Sequence, residues 1–354
     1  MVTGAVVAGI GVAVPPAVRQ EDLWTGFFAD HYAGTGQALA RRIFQNAGVV
    51  TRHAVVSPLL EDVSQWSTGK RMERYLVEAL PLAKEAVAGA MADAGIRAAD
   101  VGLLAVCSCT GYATPGLDIL LARDLSLPAD CQRLFVGHMG CYAAVAGIAA
   151  VADAVAVRRR PAVLLCAELA SLHLQPSTLD TAQMVAHALF SDAAVAVALV
   201  PGAPGDGGPG YVVRDVVSLT DPSAVDHMTW YVTDQGFRMG LSPDVPSVIG
   251  RHVRPLVSDL LARHGLATAD VDGWAVHPGG PHILDVVERE LSLPAEALST
   301  SRAVLAEHGN CSSPTVLLVL DALRRAGSRT VVMAAFGPGL TLYAALLSAG
   351  PARP

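Results

Sequence analysis

The chain has 354 residues, of which 52% are hydrophobic and 16% are charged, and its formal net charge at pH 7 is −7. A chain of this length forms one large α/β unit or two domains of about 150–200 residues, and its composition excludes extensive disorder. The acidic balance and the lack of a long basic run argue against nucleic acid as a partner. The low charge content favours an obligate oligomer, part of whose surface is covered.

The six cysteines are irregularly spaced along the chain. Cys107 and Cys109 are separated by a single residue and no CxxC pair occurs, so the spacing predicts neither a disulfide framework nor a metal site. We therefore expect a reducing, cytoplasmic compartment and no metal.

Three apolar stretches resemble targeting or membrane segments. Residues 1–16 lack a basic n-region and end at two prolines, which is typical of a first β-strand rather than a signal peptide. Residues 142–157 are too short to span a membrane and contain Asp153, and residues 330–350 are interrupted by the turn sequence FGPGL. We expect a soluble protein without a membrane partner.

Helical and strand patterns alternate along the first two hundred residues. A long amphipathic helix closes on a glycine, which is a helix stop, and continuous apolar runs of strand length follow it. The predicted elements are a helix at 69–95, a strand at 101–111, a helix at 116–125, a strand at 133–137, a helix from Cys141 to about Val157, a strand at 161–169, a helix near 178–189 and a strand at 193–200.

The alternation resumes after residues 201–210 (PGAPGDGGPG), the one Pro/Gly-dense linker. Two halves of similar content on either side of a linker predict a duplicated α/β unit with mostly buried sheets. The second half contains predicted strands at 211–219, 273–280, 330–336 and 341–348 and predicted helices at 245–264, 281–291, 302–308 and 314–326.

Cys141 lies in the sequence GHMGCYAAVAGI, between a strand end and a helix start. A helix N-terminus carries about half a positive charge, so a thiol placed there is expected to have a lowered pKa and more reactive thiolate. Position alone leaves two interpretations open, because small buried cysteines are also common in protein cores.

Two other polar residues lie at element ends, where α/β folds place their chemistry. His277 ends an apolar strand and precedes a Pro-Gly-Gly turn, and Asn310 precedes a helix in the sequence EHGNCSSP. Each has a structural alternative, as a buried histidine or an ordinary N-cap. Together with Cys141 they form a set for thioester chemistry, with a nucleophile, a proton acceptor and an amide donor. A cysteine protease uses the same residue types, and spacing alone does not separate the two classes.

Five motifs give the chain a specific resemblance: VCSCTGYATPGLD (106–118), GHMGCYAAVAGI (137–148), HALFSDAAVAV (187–197), AVHPGGPHILD with EHGNCSSP, and AFGPGLT (335–341). With these motifs the chain resembles the type III polyketide synthases, the chalcone-synthase-like branch of the thiolase-like superfamily, and specifically their bacterial members. The resemblance implies an α/β fold with five αβαβα layers, built from two duplicated halves. These halves are residues 1–205, with the nucleophile, and residues 206–354, with the catalytic His and Asn.

The resemblance also implies the chemistry. Cys141 would carry the acyl chain as a thioester, His277 and Asn310 would promote decarboxylation of malonyl-CoA and stabilise the enolate, and Phe190 would be an aromatic gatekeeper. The expected enzyme is a homodimeric acyltransferase that extends an acyl-CoA starter with malonyl-CoA, or a substituted malonyl-CoA, and cyclises the product to a pyrone or phenol. CoA thioesters are its substrates, and no cofactor is expected.

Further residues match cavity or CoA positions of the family, several of them with departures from the plant enzymes. Thr114 corresponds to a residue that reaches across the dimer interface, and the glycine-rich loop floors the cavity. The residues expected to contact substrate are Cys109, Thr114, His173, Phe190, Trp230, Met239, Ser312, Gly337, Pro338 and Gly339, and those expected to contact CoA are Arg41 and Arg42.

Three rival functions remain. A β-ketoacyl carrier-protein synthase III uses the same triad for one condensation, although the FGPGLT ending and the HALFSD gatekeeper motif argue against it. An acyltransferase that has lost extension would keep only the thioester step. A non-catalytic partner subunit of a condensing enzyme is disfavoured by the retention of all three catalytic residues.

Overall fold

The computed structural model describes residues 4–202 and 210–349. Most of the predicted Pro/Gly linker, and the predicted boundary between the halves at residues 205 and 206, lie outside the described residues.

The described chain contains the predicted helices and strands, with bounds that differ by a few residues. The strands are β1 (Gly4–Ala13), β2 (Ala17–Arg19), β3 (Thr51–His53), β4 (Leu103–Ser108), β5 (Gln132–Gly137), β6 (Ala162–Leu169), β7 (Asp192–Gly202), β8 (Tyr211–Thr220), β9 (Met228–Thr233), β10 (Gly236–Leu241), β11 (Gly273–Val276), β12 (Thr330–Gly337) and β13 (Thr341–Ala349). The helices are α1 (Gln20–Leu23), α2 (Ala29–His31), α3 (Gln37–Asn46), α4 (Thr68–Ala94), α5 (Leu117–Asp124), α6 (Ala143–Arg158), α7 (Thr181–Leu189), α8 (Val245–Ala262), α9 (Pro281–Leu291), α10 (Ser299–His308) and α11 (Ser313–Ala326).

Nine of these strands form one mixed sheet in the order β11-β12-β13-β8-β1-β7-β6-β4-β5. Its two halves repeat one pattern. In the first half β7 is antiparallel to β1 and β6, and β4 is parallel to β6. In the second half β13 is antiparallel to β8 and β12, and β11 is parallel to β12. The equivalent first strands, β1 and β8, meet antiparallel at the junction, so the predicted duplication is confirmed.

The helices complete five layers. Helix α4 packs on β1, β6 and β7, α6 and α11 contact each other and both halves of the sheet, and α8 covers β8 and β13 together with α9. The apolar core is divided accordingly into an outer cluster on the α4 side, a middle cluster around α6 and α11, and an outer cluster under α8. This is the αβαβα arrangement expected for the chain.

Close packing of β1 on α4 depends on glycine. A Cβ on Gly9 would lie 2.3 Å from the Ala90 carbonyl oxygen, and one on Gly11 would lie 2.1 Å from that of Ala86. Because both distances are far below van der Waals contact, the glycine spacing of the first strand lets it touch a helix rich in alanine.

Helix α6 belongs to the middle layer. Among the described residues, the segment Gly140–Arg158 is the one helix long and apolar enough to cross a membrane, with a mean hydropathy of 1.8 and 61% of that window buried inside the protein. Its contacts with α11 and both halves of the sheet are those of a core helix.

Two features differ from the sequence predictions. Strand β5, predicted within mostly buried sheets, is an edge strand that leaves Leu134 and Phe135 exposed to 40% and 37%. The β9–β10 hairpin was not predicted, although its strands, MTWYVT and GFRMGL, alternate apolar with polar or small residues, which was the available signal.

Candidate active site

Cys141 lies in a single 3₁₀ turn, Gly140–Tyr142, that follows β5 and leads directly into α6. A loop of the second half packs against this turn. A Cβ on Gly140, which has φ of +73°, would lie 2.8 Å from Pro338, and one on Gly337 would lie 2.7 Å from the Tyr142 ring. Both positions therefore require glycine for the two loops to touch and to fix the cysteine.

His277 directly follows β11, and its N–H donates to the Ala334 carbonyl oxygen over 2.8 Å. The imidazole is 1% exposed, and both ring nitrogens are buried without a hydrogen-bond partner among the described residues. Burial lowers the pKa of His277 to about 3, so the ring is neutral at physiological pH. A neutral imidazole with free nitrogens can accept or donate one proton to a bound substrate.

Asn310 lies three residues before α11. Its side-chain Oδ1 accepts the backbone N–H of Ser312 over 2.8 Å. With the oxygen occupied in this way, the amide nitrogen, which is a donor, is the group left for the cavity.

The duplicated fold brings these residues together. Helix α6 precedes β6 in the first half as α11 precedes β12 in the second, and the two helices pack against each other. Their N-terminal ends therefore meet, with Cys141 at one and Asn310 at the other. His277 follows β11, as Cys109 follows the equivalent strand β4.

The electrostatic prediction for Cys141 was wrong. Burial raises the pKa of its thiol to about 12, and the hydrogen bond with Ser312 Oγ, 3.6 Å from Sγ, opposes this only in part. Burial destabilises the thiolate by more than the partial positive charge at the helix start stabilises it. The thiol is therefore neutral before substrate binds.

A cavity of about 560 Å³ connects the three residues. Cys141, His277 and Asn310 line it together with Phe190 and Met239, and most of its remaining wall is aliphatic, from α3, α7, α8 and the start of α9. The sequence had not indicated this wall, because its apolar residues read as ordinary core.

Two smaller cavities, of about 70 and 30 Å³, lie beyond Phe190 and Met239, which line all three spaces. Trp230 lines both small cavities, His173 lines the larger of them, and Cys109, Cys141, Ser312 and Pro338 line the smaller. Most of the residues predicted to contact substrate are therefore gathered at this position.

The β9–β10 hairpin forms the wall of the small cavities. Trp230 and Met239 are cross-strand partners, and the Trp230 ring lies 6.2 Å from that of Phe190. Trp230 Nε1 donates to the Cys109 carbonyl oxygen over 2.8 Å, and Gln183 on α7 donates to the Met239 carbonyl oxygen. The hairpin is thus attached both to the end of β4 and to the helix that leads to Phe190.

His173 is held at both ring nitrogens. Nε2 donates to the Thr110 carbonyl oxygen over 2.7 Å, and Nδ1 accepts the Phe237 N–H over 2.9 Å. Its ring stacks on Phe237 at 4.4 Å, and burial lowers its pKa to about 4. His173 therefore shapes the cavity as a neutral anchor of the hairpin, with no ring nitrogen left for substrate.

Glu168 is a buried acid beneath the site that the motifs did not indicate. It accepts hydrogen bonds from Thr110 Oγ1 at 2.7 Å, Ser313 Oγ at 2.9 Å and the Cys109 N–H at 3.0 Å. It thereby joins the end of β4 to the start of α11. A carboxylate inside the otherwise apolar strand PAVLLCAEL was the available signal.

The side chains of the two arginines predicted to contact CoA lie in different surroundings. Arg42 lines the large cavity at its exposed edge. The Arg41 guanidinium is paired with Glu21 at 2.8 Å and lies over the Trp24 ring. Arg41 does not line the large cavity.

Thr114, Gly337 and Gly339 lie outside the lining of the described cavities. Thr114 is exposed in the loop after β4. Gly339 has φ of +96° and belongs to the turn between β12 and β13, where its N–H donates to the Met228 carbonyl oxygen over 3.4 Å. Within the described ranges, no group of three or more His, Cys, Asp or Glu side chains has the arrangement of a metal site.

The five layers and the duplicated halves are those of the thiolase-like enzymes. Sequence models of the chalcone and stilbene synthases match residues 2–204, with the N-terminal domain, and residues 217–351, with the C-terminal domain. The chain therefore belongs to the chalcone and stilbene synthase family, the type III polyketide synthases.

Individual relatives agree with this assignment. The chain is 36% identical over 353 residues to a 1,3,6,8-tetrahydroxynaphthalene synthase of Streptomyces peucetius subsp. caesius, covering 97% of this chain and 93% of the relative. It is 32% identical to the alpha-pyrone synthesis polyketide synthase-like Pks18 of Mycobacterium tuberculosis, with coverages of 96% and 90%. The crystal structure of the tetrahydroxynaphthalene synthase of Streptomyces coelicolor A3(2), a bacterial type III polyketide synthase, superposes with a TM-score of 0.90 at 29% identity and covers 98% and 99% of the two chains.

Proposed function

We propose that this enzyme loads an acyl group from acyl-CoA onto Cys141 and extends it with malonyl-CoA, with His277 acting in both steps and Asn310 acting on the malonyl thioester. The observation that carries the proposal is the single cavity lined by all three side chains, each at the end of its own element. The established family gives the reaction class, and the cavity supports the assignment of residues.

Loading begins from neutral groups. As Sγ attacks the thioester carbonyl, its proton passes to His277, whose free ring nitrogen can accept it, and the departing CoA thiolate takes a proton in return. Because burial raises the pKa of the Cys141 thiol to about 12 and lowers that of His277 to about 3, an ion pair does not persist at rest. The proton moves only as the carbon–sulfur bond forms.

Extension needs two donors and no charged residue. Loss of CO₂ from malonyl-CoA leaves an enolate whose oxygen accepts hydrogen bonds from His277 and the Asn310 amide nitrogen. The enolate carbon then attacks the carbonyl carbon of the Cys141 thioester. The carbon–sulfur bond to Cys141 breaks, the extended chain leaves as a β-ketoacyl-CoA, and the Cys141 thiolate takes up a proton. Removing one such donor costs about 3–4 kcal/mol of barrier, and these donors suffice without a metal or cofactor.

Several further assignments belong to this proposal. Phe190, Trp230 and Met239 limit the growing chain, which cyclises to a pyrone or phenolic product, and Arg42 lies where the CoA end of the substrate enters. The protein is a soluble, cytoplasmic homodimer. The exposed β5 edge supports the dimer, since its unpaired backbone and apolar side chains suit a second copy.

The test is intact-protein mass spectrometry after exposure to a medium-chain acyl-CoA, followed by product analysis with malonyl-CoA and no carrier protein. Cys141→Ala should abolish loading and product, whereas Cys131→Ala, which alters a buried thiol at the start of β5, should retain both. Extended products from Cys141→Ala at the wild-type rate would refute the assignment.

The same experiment separates the rivals. Products that form only when a carrier protein is supplied would indicate a β-ketoacyl carrier-protein synthase. A loaded acyl group without extension would indicate an acyltransferase.

A further inference from the structure

Arg52 in strand β3 is a buried cation close to the cavity, and neither the motifs nor the proposed mechanism uses it. Its side chain is 6% exposed. Nη1 donates to the carbonyl oxygens of His187 and Phe190, the latter at 3.1 Å. These carbonyls belong to the last turn of α7 and the residue after it, where a cation also complements the helix dipole.

The rest of the guanidinium faces aromatic rings. Its carbon lies 5.8 Å from the centroids of both Phe28 and Phe44, and Nε and Nη2 have no hydrogen-bond partner among the described residues. A buried arginine with unpartnered nitrogens is costly. The carbonyl oxygens at the end of α7, the two aromatic rings and the charge of nearby Asp192 together stabilise the buried cation.

The segment held by Arg52 also holds Asn310. The Asn310 N–H donates to the Leu189 carbonyl oxygen over 2.9 Å, and the Ser191 N–H donates to the Asn310 carbonyl oxygen over 3.0 Å, as a parallel bridge across Phe190. These hydrogen bonds fix the position of the Asn310 backbone relative to the chain segment around Phe190.

Arg52 touches the same structure from a second side. Gly309, which has φ of +70°, is so closely packed that a Cβ would lie 3.0 Å from the Leu189 carbonyl oxygen and 3.2 Å from Arg52 Cγ. Neighbouring His53 exchanges backbone hydrogen bonds with the Ser191 hydroxyl at 2.8 and 3.1 Å. Strand β3 therefore clamps residues 189–191 and, through them, residues 309 and 310.

We propose that Arg52 is a positioning residue that fixes Asn310 and Phe190 relative to each other, and so sets the amide donor for the malonyl-derived enolate. The inference rests on the proposed role of Asn310. It predicts a selective defect, in which decarboxylation is impaired while acylation of Cys141, in a different turn, is preserved.

The experiment compares Arg52→Lys with Arg71→Lys. Lysine keeps the charge but not the planar fork that reaches two carbonyls. Arg71 is a matched control, because it is also fully buried and donates to main-chain carbonyls, among them those of Trp66, Leu172 and Leu174, away from Asn310. Both variants should lower the Tm.

Only Arg52→Lys should lower kcat for conversion of malonyl-CoA to acetyl-CoA and CO₂, by about tenfold or more, with KM for malonyl-CoA and the rate of Cys141 acylation near wild type. Gly309→Ala, which displaces the same segment from its other side, should show the same pattern. Wild-type decarboxylation by both Arg52→Lys and Gly309→Ala would overturn the proposal, as would equal losses in Arg52→Lys and Arg71→Lys.

A double-mutant comparison tests whether the effect passes through Asn310. In an Asn310→Ala background, Arg52→Lys should cause little further loss of decarboxylation, and a full additional loss would contradict the proposal. If Asn310→Ala alone decarboxylates normally, the proposed function fails instead, so the two failures are distinguishable.

Discussion

At the scale of single residues, burial decides the charge state of the site. The thiol of Cys141 and the rings of His277 and His173 are all enclosed, and burial moves each pKa toward the neutral form. A helix start beside a cysteine predicted the opposite, a stable thiolate. In the proposed mechanism, Cys141 is therefore a neutral thiol in the free enzyme and loses its proton only with a substrate in place.

This charge state predicts the pH dependence of Cys141 alkylation by iodoacetamide. With a pKa of about 12, the thiolate fraction rises about tenfold for each pH unit between 7 and 9. The logarithm of the rate, followed by mass spectrometry of the Cys141 peptide, should rise linearly without a plateau. The Cys141→Ala protein gives the background from other thiols. A plateau below pH 8 would show that the thiol is activated at rest.

At the scale of elements, the β9–β10 hairpin and the turn after α7 divide the interior. Phe190 and Met239 stand between a large cavity and two small ones, and Trp230 lines both small cavities. The hydrogen bonds from Trp230, Gln183 and His173 fix this wall. We therefore expect the hairpin to set the size of the product.

Trp230→Ala tests this role. Removing the indole should enlarge the inner cavity and shift products toward higher mass by one or more two-carbon units, at a cost of about 3 kcal/mol in unfolding free energy. Liquid chromatography with mass spectrometry across a panel of acyl-CoA starters measures the shift. Tyr231→Ala is the matched control, since Tyr231 is the next residue of the same strand and is 55% exposed. An unchanged product distribution in Trp230→Ala would contradict the role of the hairpin.

At the scale of the whole molecule, the nine-stranded sheet has two edge strands, of which β11 is buried and β5 is exposed. Strand β5 has no equivalent in the second half, and Leu134 and Phe135 are exposed on it. An edge of this kind favours pairing with another strand. Thr114 is exposed after β4, the neighbour of β5 in the sheet, and its contact with a partner subunit stays a prediction.

Phe135→Lys should therefore disrupt the proposed dimer. A charge on the pairing strand opposes association, so light scattering after size-exclusion chromatography should show a shift from dimer toward the monomer mass of 36.6 kDa. Val77→Lys places the same charge at a valine that is 66% exposed on α4 and should leave the mass unchanged. A dimer that persists in Phe135→Lys at micromolar concentration would place the interface elsewhere.

Much of the fold and the three central residues followed from the sequence. Periodicity predicted the order of helices and strands because buried strands and amphipathic helices impose different spacings on apolar residues. Cys141, His277 and Asn310 are each ambiguous alone, and the motifs around them jointly predict a catalytic set. Local sequence places these residues at the ends of helices and strands, because the adjacent turns require glycine and proline.

Only the tertiary structure decided how these pieces act together. The meeting of α6 and α11 places Cys141 beside Asn310, and burial, which depends on every surrounding layer, reversed the predicted pKa of the thiol. Three features depend on contacts between residues distant in the chain. They are the different surroundings of Arg41 and Arg42, the hydrogen bonds that hold His173, and the contacts of Arg52 with the end of α7. Local sequence determines backbone conformation and the type of side chain at each position. The electrostatic environment and the cavity shape depend on packing, to which residues from the whole molecule contribute.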